Sequence, residues 1–174
     1  MQPKINILIR THRPLLFERC IKSVELQTYK NINVIIHKTE NRTKGYDYNL
    51  YCNILKEQVT DGWFMFLDDD DVLNNPKVIE RLAWYLLFED ELVIIQMIRN
   101  GRPKPSDKLM DERKIERGKI GMPCFVLHSK HKNITNFDNS ECADYNFIKR
   151  CSELLPVKLI KLPVVSVSGR RRGR

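Results

Sequence analysis

The chain has 174 residues, of which 42% are hydrophobic and 30% are charged, and its formal net charge is +8. This length suits one domain, which buries roughly 70% of its unfolded surface and so needs no disulfides to support its core. The five cysteines form no C-x-x-C pair, the N-terminus has no signal-peptide pattern, and no stretch approaches about 18 uninterrupted apolar residues, so we expect a soluble, cytoplasmic protein.

Residues 1–99 alternate the patterns of strands and helices. Four short runs are apolar on successive residues or rich in β-branched residues, which predicts strands at 4–9, 33–37, 63–67 and 92–98. Three apolar stripes with helical spacing lie between them, namely Leu16, Cys20 and Val24; Tyr48, Tyr51, Leu55 and Val59; and Ile79, Leu82, Ala83 and Leu86. Pro14 and Pro76 stand where the first and third helices are expected to begin.

The second half of the chain is less regular. Residues 100–121 are polar and charged and include Pro103 and Pro105, which predicts a long, mobile surface loop. A strand at 124–128, a helix over 143–155 and two strands at 157–162 and 164–168 are expected to follow. The β-α-β-α-β-α-β order of the first half predicts an α/β fold in which helices cover both faces of a parallel sheet.

Four consecutive aspartates, Asp68 to Asp71, follow the third predicted strand in the stretch FMFLDDDDVL. Ligands of open α/β sheets bind beyond the carboxyl ends of the strands, which is where this run falls. Carboxylates so close together repel one another unless a cation intervenes, and Mg²⁺ or Mn²⁺ takes such ligands together with substrate phosphates. The alternative is an exposed acidic turn that caps the next helix.

The segments NILIRTHRP, NVIIHKTEN and FLDDDD resemble the nucleotide-diphospho-sugar glycosyltransferases of the GT-A fold, family 2 type. The resemblance covers Ile5 to about Arg150 and implies a single-domain, Rossmann-like three-layer sandwich with a mostly parallel central sheet. It also implies that residues 1–99 bind a nucleotide-sugar donor, for which a UDP-sugar is expected, and that residues 100–174 face the acceptor. The acceptor would be a glycan, a lipid-linked molecule or a protein.

The same resemblance assigns roles to individual residues. The D-x-D pair of the family corresponds to Asp68 and Asp70, with Asp70 the stronger ligand for Mn²⁺ or Mg²⁺. Further donor contacts are expected from Asp69 and from the loop after the first strand, which contains Thr11, His12 and Arg13.

The stretch ADYNFIKR resembles the family's E-D-W-D-L-x-x-R signature, whose second acidic residue is the general base of inverting members. That residue is Asp144 here, and a carboxylate is suited to take the proton of an attacking hydroxyl. Ala143 stands at the first acidic position of the signature, so Glu141 is a second catalytic candidate. Capping of the helix that begins here is the structural alternative for Asp144.

Two departures from the family's pattern concern the donor. His37 stands where the family usually has the aspartate that reads the uracil ring, and Cys52-Asn53 replaces an Arg-Asn pair, with Asn53 retained as a donor contact. The missing arginine leaves the diphosphate to Arg13 or to the terminal arginines Arg170 and Arg172.

Other interpretations of the aspartates and of the basic tail stay open. Clustered aspartates also serve nucleotidyl and phosphoryl transferases with two metal ions. The basic tail, residues 169–174, is a solvated end, a contact with an acidic membrane surface, or part of a nucleic-acid-binding module. We expect no nucleic-acid partner, because the other basic residues are dispersed and four aspartates repel phosphate in the absence of metal.

Overall fold

The computed structural model describes residues 2–39, 46 and 48–167. The strands of this part are β1 (Ile5–Thr11), β2 (Ile32–Lys38), β3 (Trp63–Asp68), β4 (Val72–Leu73), β5 (Leu92–Arg99), β6 (Arg102–Lys104), β7 (Phe125–His128) and β8 (Val157–Val167). The α-helices are α1 (Pro14–Glu25), α2 (Tyr48–Glu57), α3 (Val78–Ala83), α4 (Asp107–Asp111) and α5 (Ala143–Leu154). The terminal arginines Arg170 and Arg172, predicted as donor contacts, lie outside the described residues.

The strands form one sheet in the order β2-β1-β3-β7-β5-β8-β4, with β6 paired to β5. Strands β2, β1, β3, β5 and β8 run in one direction, and β7, β4 and β6 run against them. The chain steps from β1 outward to β2 and then back across β1 to β3. Because such crossovers are right-handed, these opposite steps place α1 and α2 on opposite faces of the sheet. The predicted α/β fold with a mostly parallel sheet is confirmed.

The core lies on both faces of β1 and β3, whose successive residues are buried. Five phenylalanines form its densest part, and Phe137 stacks on Phe147 with ring centroids 4.1 Å apart. The members of this aromatic cluster are Phe64, Phe66, Phe125, Phe137 and Phe147. Phe137 belongs to the segment before α5, so the cluster joins that segment to the central strands.

The segment 100–121, predicted as a loop, contains β6 and α4. Asn100 and Gly101 both have positive φ, of 53° and 72°, and connect β5 to β6 as a two-residue hairpin. Asn-Gly is the favoured sequence for such a turn, because both residues tolerate the left-handed conformation. Ser106 then begins α4 by accepting a hydrogen bond from the Leu109 amide at 3.4 Å. The prediction of a loop without secondary structure was therefore wrong.

The two predicted C-terminal strands are one strand, β8, which continues through Pro163. The pairing of β8 with β5 shifts register on both sides of the Gln96–Pro163 pair. Such an irregularity accommodates a residue that cannot donate a ladder hydrogen bond. Among the described residues, no helix is both long enough and apolar enough to cross a membrane.

Candidate active site

The carboxyl ends of β1 and β3 lie side by side, because these parallel strands pair from Ile5–Trp63 to Arg10–Asp68. The loop after β1 and the aspartates after β3 therefore meet at one edge of the sheet. This is the edge at which open α/β sheets bind ligands. The sequence placed both segments there, and the structure brings them together.

The aspartate run turns back on itself at the end of β3, where the Asp71 amide donates to the Asp68 carbonyl at 2.9 Å. As a result, one carboxylate oxygen from each of Asp68, Asp70 and Asp71 lies within 4.8 Å of the others. Three carboxylate oxygens are a suitable ligand set for Mg²⁺ or Mn²⁺. Asp68 and Asp70 were predicted as ligands, but Asp71 was not. The tight turn, which was not visible in the sequence pattern, brings Asp71 into the group.

Asp68 forms an ion pair with Arg10 across the β1–β3 pair. Its Oδ1 lies 3.0 Å from Arg10 Nε and 2.9 Å from Nη2. Arg10 Nη1 donates to the Tyr48 carbonyl at 2.9 Å, and the guanidinium lies 4.6 Å from the centre of the Tyr48 ring. Burial lowers the pKa of Arg10, but the Asp68 charge outweighs it, and the net pKa is raised. Arg10 therefore stays positively charged, and its contacts hold the guanidinium beside Asp68.

Asp69 is buried, with 2% of its surface exposed, and its contacts are to the loop after β1. Its Oδ2 accepts from Thr11 Oγ1 at 3.0 Å and from the His12 amide at 3.3 Å, while its Oδ1 accepts from Arg13 Nε at 3.0 Å. Burial raises the pKa of Asp69, but the hydrogen bonds from Arg13 and Thr11 outweigh it and hold the pKa below its usual range. Asp69, predicted as a donor contact, orders the predicted nucleotide loop.

Asp144 lies in the first turn of α5 and is partly buried, and its Oδ1 accepts from the Tyr145 amide at 2.7 Å. A methyl group added to Gly121 would lie 3.6 Å from Asp144 Oδ2, so the carboxylate faces this glycine closely. Burial raises the pKa of Asp144, and the charge of Asp68 adds to the shift. Asp144 is therefore close enough to Asp68 to feel its charge, and it accepts from the Tyr145 amide without being the N-cap residue of α5, which is Cys142.

Replacing Asp144 by asparagine is expected to stabilise the fold at neutral pH. The folded state holds the Asp144 proton more tightly than the unfolded chain does, since the folded pKa is raised. Stability is therefore lost as pH rises from the unfolded pKa, about 3.9, through the folded pKa. The asparagine cannot ionise, and its Oδ1 still accepts from Tyr145. Thermal unfolding is expected to show a higher Tm than wild type at pH 7 and the same Tm at pH 3.

Asp138 supplies the matched control for this experiment. Its carboxylate accepts hydrogen bonds from Ser140 and from Asn146, the latter at 2.9 Å, and these bonds lower its pKa. The Asp138→Asn variant is expected to change Tm in the opposite direction at pH 7. Equal destabilisation by both substitutions would contradict the inference about Asp144.

The other predicted residues occupy different surroundings. Glu141 is exposed. His37, at the end of β2, packs on Tyr51 of α2, with ring centroids 4.7 Å apart and an interplanar angle of 30°. Both side chains are partly exposed at the carboxyl end of β2.

Asn53, predicted to contact the donor, pairs with the main chain of Phe137 instead. Its Nδ2 donates to the Phe137 carbonyl and its Oδ1 accepts from the Phe137 amide, both at 2.9 Å. Asn49, one turn earlier, donates to the Ser140 carbonyl at 2.7 Å, and the buried Lys56 donates to the Lys132 carbonyl at 2.7 Å. This polar face of α2 fixes the segment 132–140, which leads into α5 and Asp144.

No protein-family model matches the chain, and no curated protein matches it in sequence. Solved structures do match. TarS 1–349 from S. aureus in complex with UDP-GlcNAc superposes with a TM-score of 0.72 at 14% identity, covering 98% of this chain and 60% of that one. The mannosyltransferase PcManGT from Pyrobaculum calidifontis, in complex with GDP-Man and Mn²⁺, superposes with a TM-score of 0.71 at 11% identity, covering 99% of this chain and 59% of that one.

The chain has the GT-A fold. Its similarity to these two structures with bound nucleotide sugars spans nearly all of its residues, although the identities are low. The chain corresponds to about 60% of TarS 1–349 and to 37% of the longer TarS structure, which superposes with a TM-score of 0.73. Within this fold, the aspartate cluster lies at the end of β3 and Asp144 lies in the first turn of α5.

Proposed function

We propose that the chain is the catalytic domain of a metal-dependent, inverting glycosyltransferase. The observation that carries this proposal is the cluster of Asp68, Asp70 and Asp71 at the end of β3, beside the loop after β1 that Asp69 orders. The GT-A fold and the nucleotide sugars held by TarS and PcManGT support a nucleotide-sugar donor.

Asp68, Asp70 and Asp71 would hold the divalent cation, for which their hard carboxylate oxygens are suitable ligands. When bound, the cation supplies positive charge that stabilises the negative charge developing on the leaving diphosphate. The loop of Thr11 and Arg13, ordered by Asp69, would orient the diphosphate. The His37–Tyr51 pair would stack against the base, for which we propose uracil.

Asp144 would act as the general base. The acceptor hydroxyl oxygen forms a bond to the anomeric carbon while the bond from that carbon to the diphosphate oxygen breaks, and the hydroxyl proton passes to the Asp144 carboxylate. A single displacement of this kind inverts the anomeric centre. The partial burial that raises the pKa of Asp144 makes it a stronger base than an exposed aspartate.

A thermal-shift screen tests the donor site. The ligands are UDP, GDP, dTDP, ADP and CMP, each with Mn²⁺ and with a chelator. One nucleoside diphosphate is expected to stabilise the protein only with metal, by about 2.7 kcal/mol at about 100 times its dissociation constant.

The matching donor sugar is then supplied with candidate acceptors. Release of the nucleoside diphosphate supports glycosyl transfer, whereas pyrophosphate or a nucleoside monophosphate would indicate nucleotidyl or phosphoryl transfer instead. If no nucleotide stabilises the protein in either condition, the proposal is wrong.

A further inference from the structure

Arg13 bridges two members of the aspartate run. Its Nε lies 3.0 Å from Asp69 Oδ1, and its Nη2 also donates to that oxygen. The same guanidinium faces Asp70, with Nη1 3.2 Å from Oδ2 and Nη2 3.0 Å from Oδ1. Both carboxylate oxygens of Asp70 are therefore paired with a protein cation.

Asp68 differs in this respect. Arg10 contacts only its Oδ1, and within the described part of the chain no hydrogen bond or ion pair reaches Oδ2. A cation can therefore use Asp68 Oδ2 without disturbing Arg10. At Asp70 both oxygens are occupied, so a metal ion that coordinates either one takes the place of an Arg13 N–H and repels the guanidinium beside it, which favours release of Arg13.

The surroundings of Arg13 allow its side chain to leave Asp70 when a cation binds there. Its side chain is 35% exposed, whereas that of Arg10 is 18% exposed and is also bonded to the Tyr48 carbonyl. If the contact with Asp70 is lost, Arg13 Nε and Nη2 still contact Asp69 Oδ1. Because Asp69 is buried, these contacts keep the guanidinium group in place. The N–H groups freed from Asp70 are suited to a diphosphate, since guanidinium binds phosphate oxygens through paired hydrogen bonds.

We propose that Arg13 occupies the metal position at Asp70 in the free protein and moves to the donor diphosphate when metal and donor bind together. This inference rests on the proposed function. It makes the binding of metal and nucleotide cooperative, because the diphosphate offers Arg13 a new partner and thereby lowers the cost of releasing Asp70. Coupling of this kind is reciprocal, so nucleotide must tighten metal binding by the same factor by which metal tightens nucleotide binding.

The test compares Arg13→Gln with Arg19→Gln. Arg19 donates to the Asp70 carbonyl at 2.7 Å and lies near the same aspartates, but it does not contact their carboxylates. Both variants remove one positive charge from this edge, and only the first frees Asp70. Dissociation constants for Mn²⁺ are measured by titration calorimetry or by the electron paramagnetic resonance of free Mn²⁺, without nucleotide and with saturating UDP or GDP.

Without nucleotide, Arg13→Gln is expected to bind Mn²⁺ at least about fivefold more tightly than wild type or Arg19→Gln does. A factor of about five is the lower end of typical coupling between two binding sites. The tightening of Mn²⁺ binding by UDP or GDP is expected to fall by at least the same factor. Damage to the fold cannot produce this gain in affinity. Arg13→Lys keeps the positive charge but cannot bond to both carboxylates through a planar guanidinium. Its Mn²⁺ affinity is expected to lie between those of wild type and Arg13→Gln. This variant replaces Arg13→Gln in the test if Arg13→Gln does not fold.

Equal Mn²⁺ affinities in the Arg13 and Arg19 variants would overturn the inference and leave the proposed function intact. If wild type binds no Mn²⁺ even with UDP or GDP, the proposed function fails, and this inference fails with it.

Discussion

Replacement of Asp70 by asparagine is expected to abolish metal-dependent nucleotide binding while the fold is retained. The substitution removes one of the three charged ligands of the aspartate cluster. Loss of an outer-shell partner alone weakens metal sites about 10- to 100-fold, so loss of a ligand is expected to cost about 100-fold or more in Mn²⁺ affinity. The nucleotide then loses the cation to which its diphosphate would bind.

The variant is expected to remain folded, because the ion pair of Asp70 with Arg13 is partly exposed and Arg13 keeps its bonds to Asp69. Its free energy of unfolding without ligand is expected to change by about 1 kcal/mol or less. Calorimetry with Mn²⁺ and the nucleotide found in the screen measures the first effect, and denaturant unfolding measures the second.

Asp61→Asn is the matched control for Asp70→Asn. Asp61 is an exposed aspartate that pairs with Lys4 at 2.7 Å before β3 begins, at the opposite end of that strand from the cluster. It undergoes the same chemical change without touching the site, so it is expected to bind metal and nucleotide as wild type does. Normal metal-dependent binding by Asp70→Asn would remove Asp70 from the metal site.

Phe137→Ala is expected to produce the largest loss of stability among the variants considered. Phe137 is 2% exposed, stacks on Phe147 and has its ring centroid 5.4 Å from that of Phe66. Truncating a buried phenylalanine costs about 3–5 kcal/mol through lost burial and the cavity left behind. Equilibrium denaturation in urea measures this change in the free energy of unfolding.

The Phe137 substitution also tests how the segment before α5 is held. Asn53 binds only the main chain of Phe137, so these hydrogen bonds survive in principle, and the loss reports the aromatic packing. Phe88→Ala is the control, because Phe88 is 62% exposed and is expected to cost less than about 1 kcal/mol. A similar cost for both substitutions would contradict the proposed importance of the aromatic cluster.

The parts of the fold that could be predicted from the sequence are those with strong local signals. Strand β3 is apolar on successive residues up to Leu67 and is buried on both faces, as its pattern indicated. Strand β1, predicted from its β-branched residues, is buried in the same way. The aspartates follow β3 directly, so the rule that ligands bind beyond strand ends located the candidate site without knowledge of the pairing. The Asn100-Gly101 hairpin also had a local signal, but the charged residues around it were interpreted as a loop.

Other features depend on contacts between residues that are distant in sequence. Asn53 was predicted as a donor contact from its resemblance to the family's Arg-Asn pair, whereas its partner, Phe137, is 84 positions away and has no sequence motif that indicates the pairing. Asp71 joins the metal candidates through a turn whose geometry depends on the backbone and not on residue type. The role of Asp69 in ordering the loop after β1 likewise depends on the β1–β3 register. Such contacts follow from tertiary packing, which local patterns do not encode.

The position of β7 in the sheet affects how the protein folds during its synthesis. It is the only described strand that joins the β2-β1-β3 side of the sheet to the β5-β8-β4 side, pairing Trp63 with His128 and Val93 with Val126. Ribosomes would complete β3 about 60 residues and β5 about 30 residues before β7, which leaves intervals of seconds at about 5–20 residues per second. During the shorter interval both inner strands expose apolar, unpaired edges, the kind of surface that recruits other chains. We therefore expect translation pauses before residue 128 to lower the yield of folded protein, whereas pauses after β8 should have little effect.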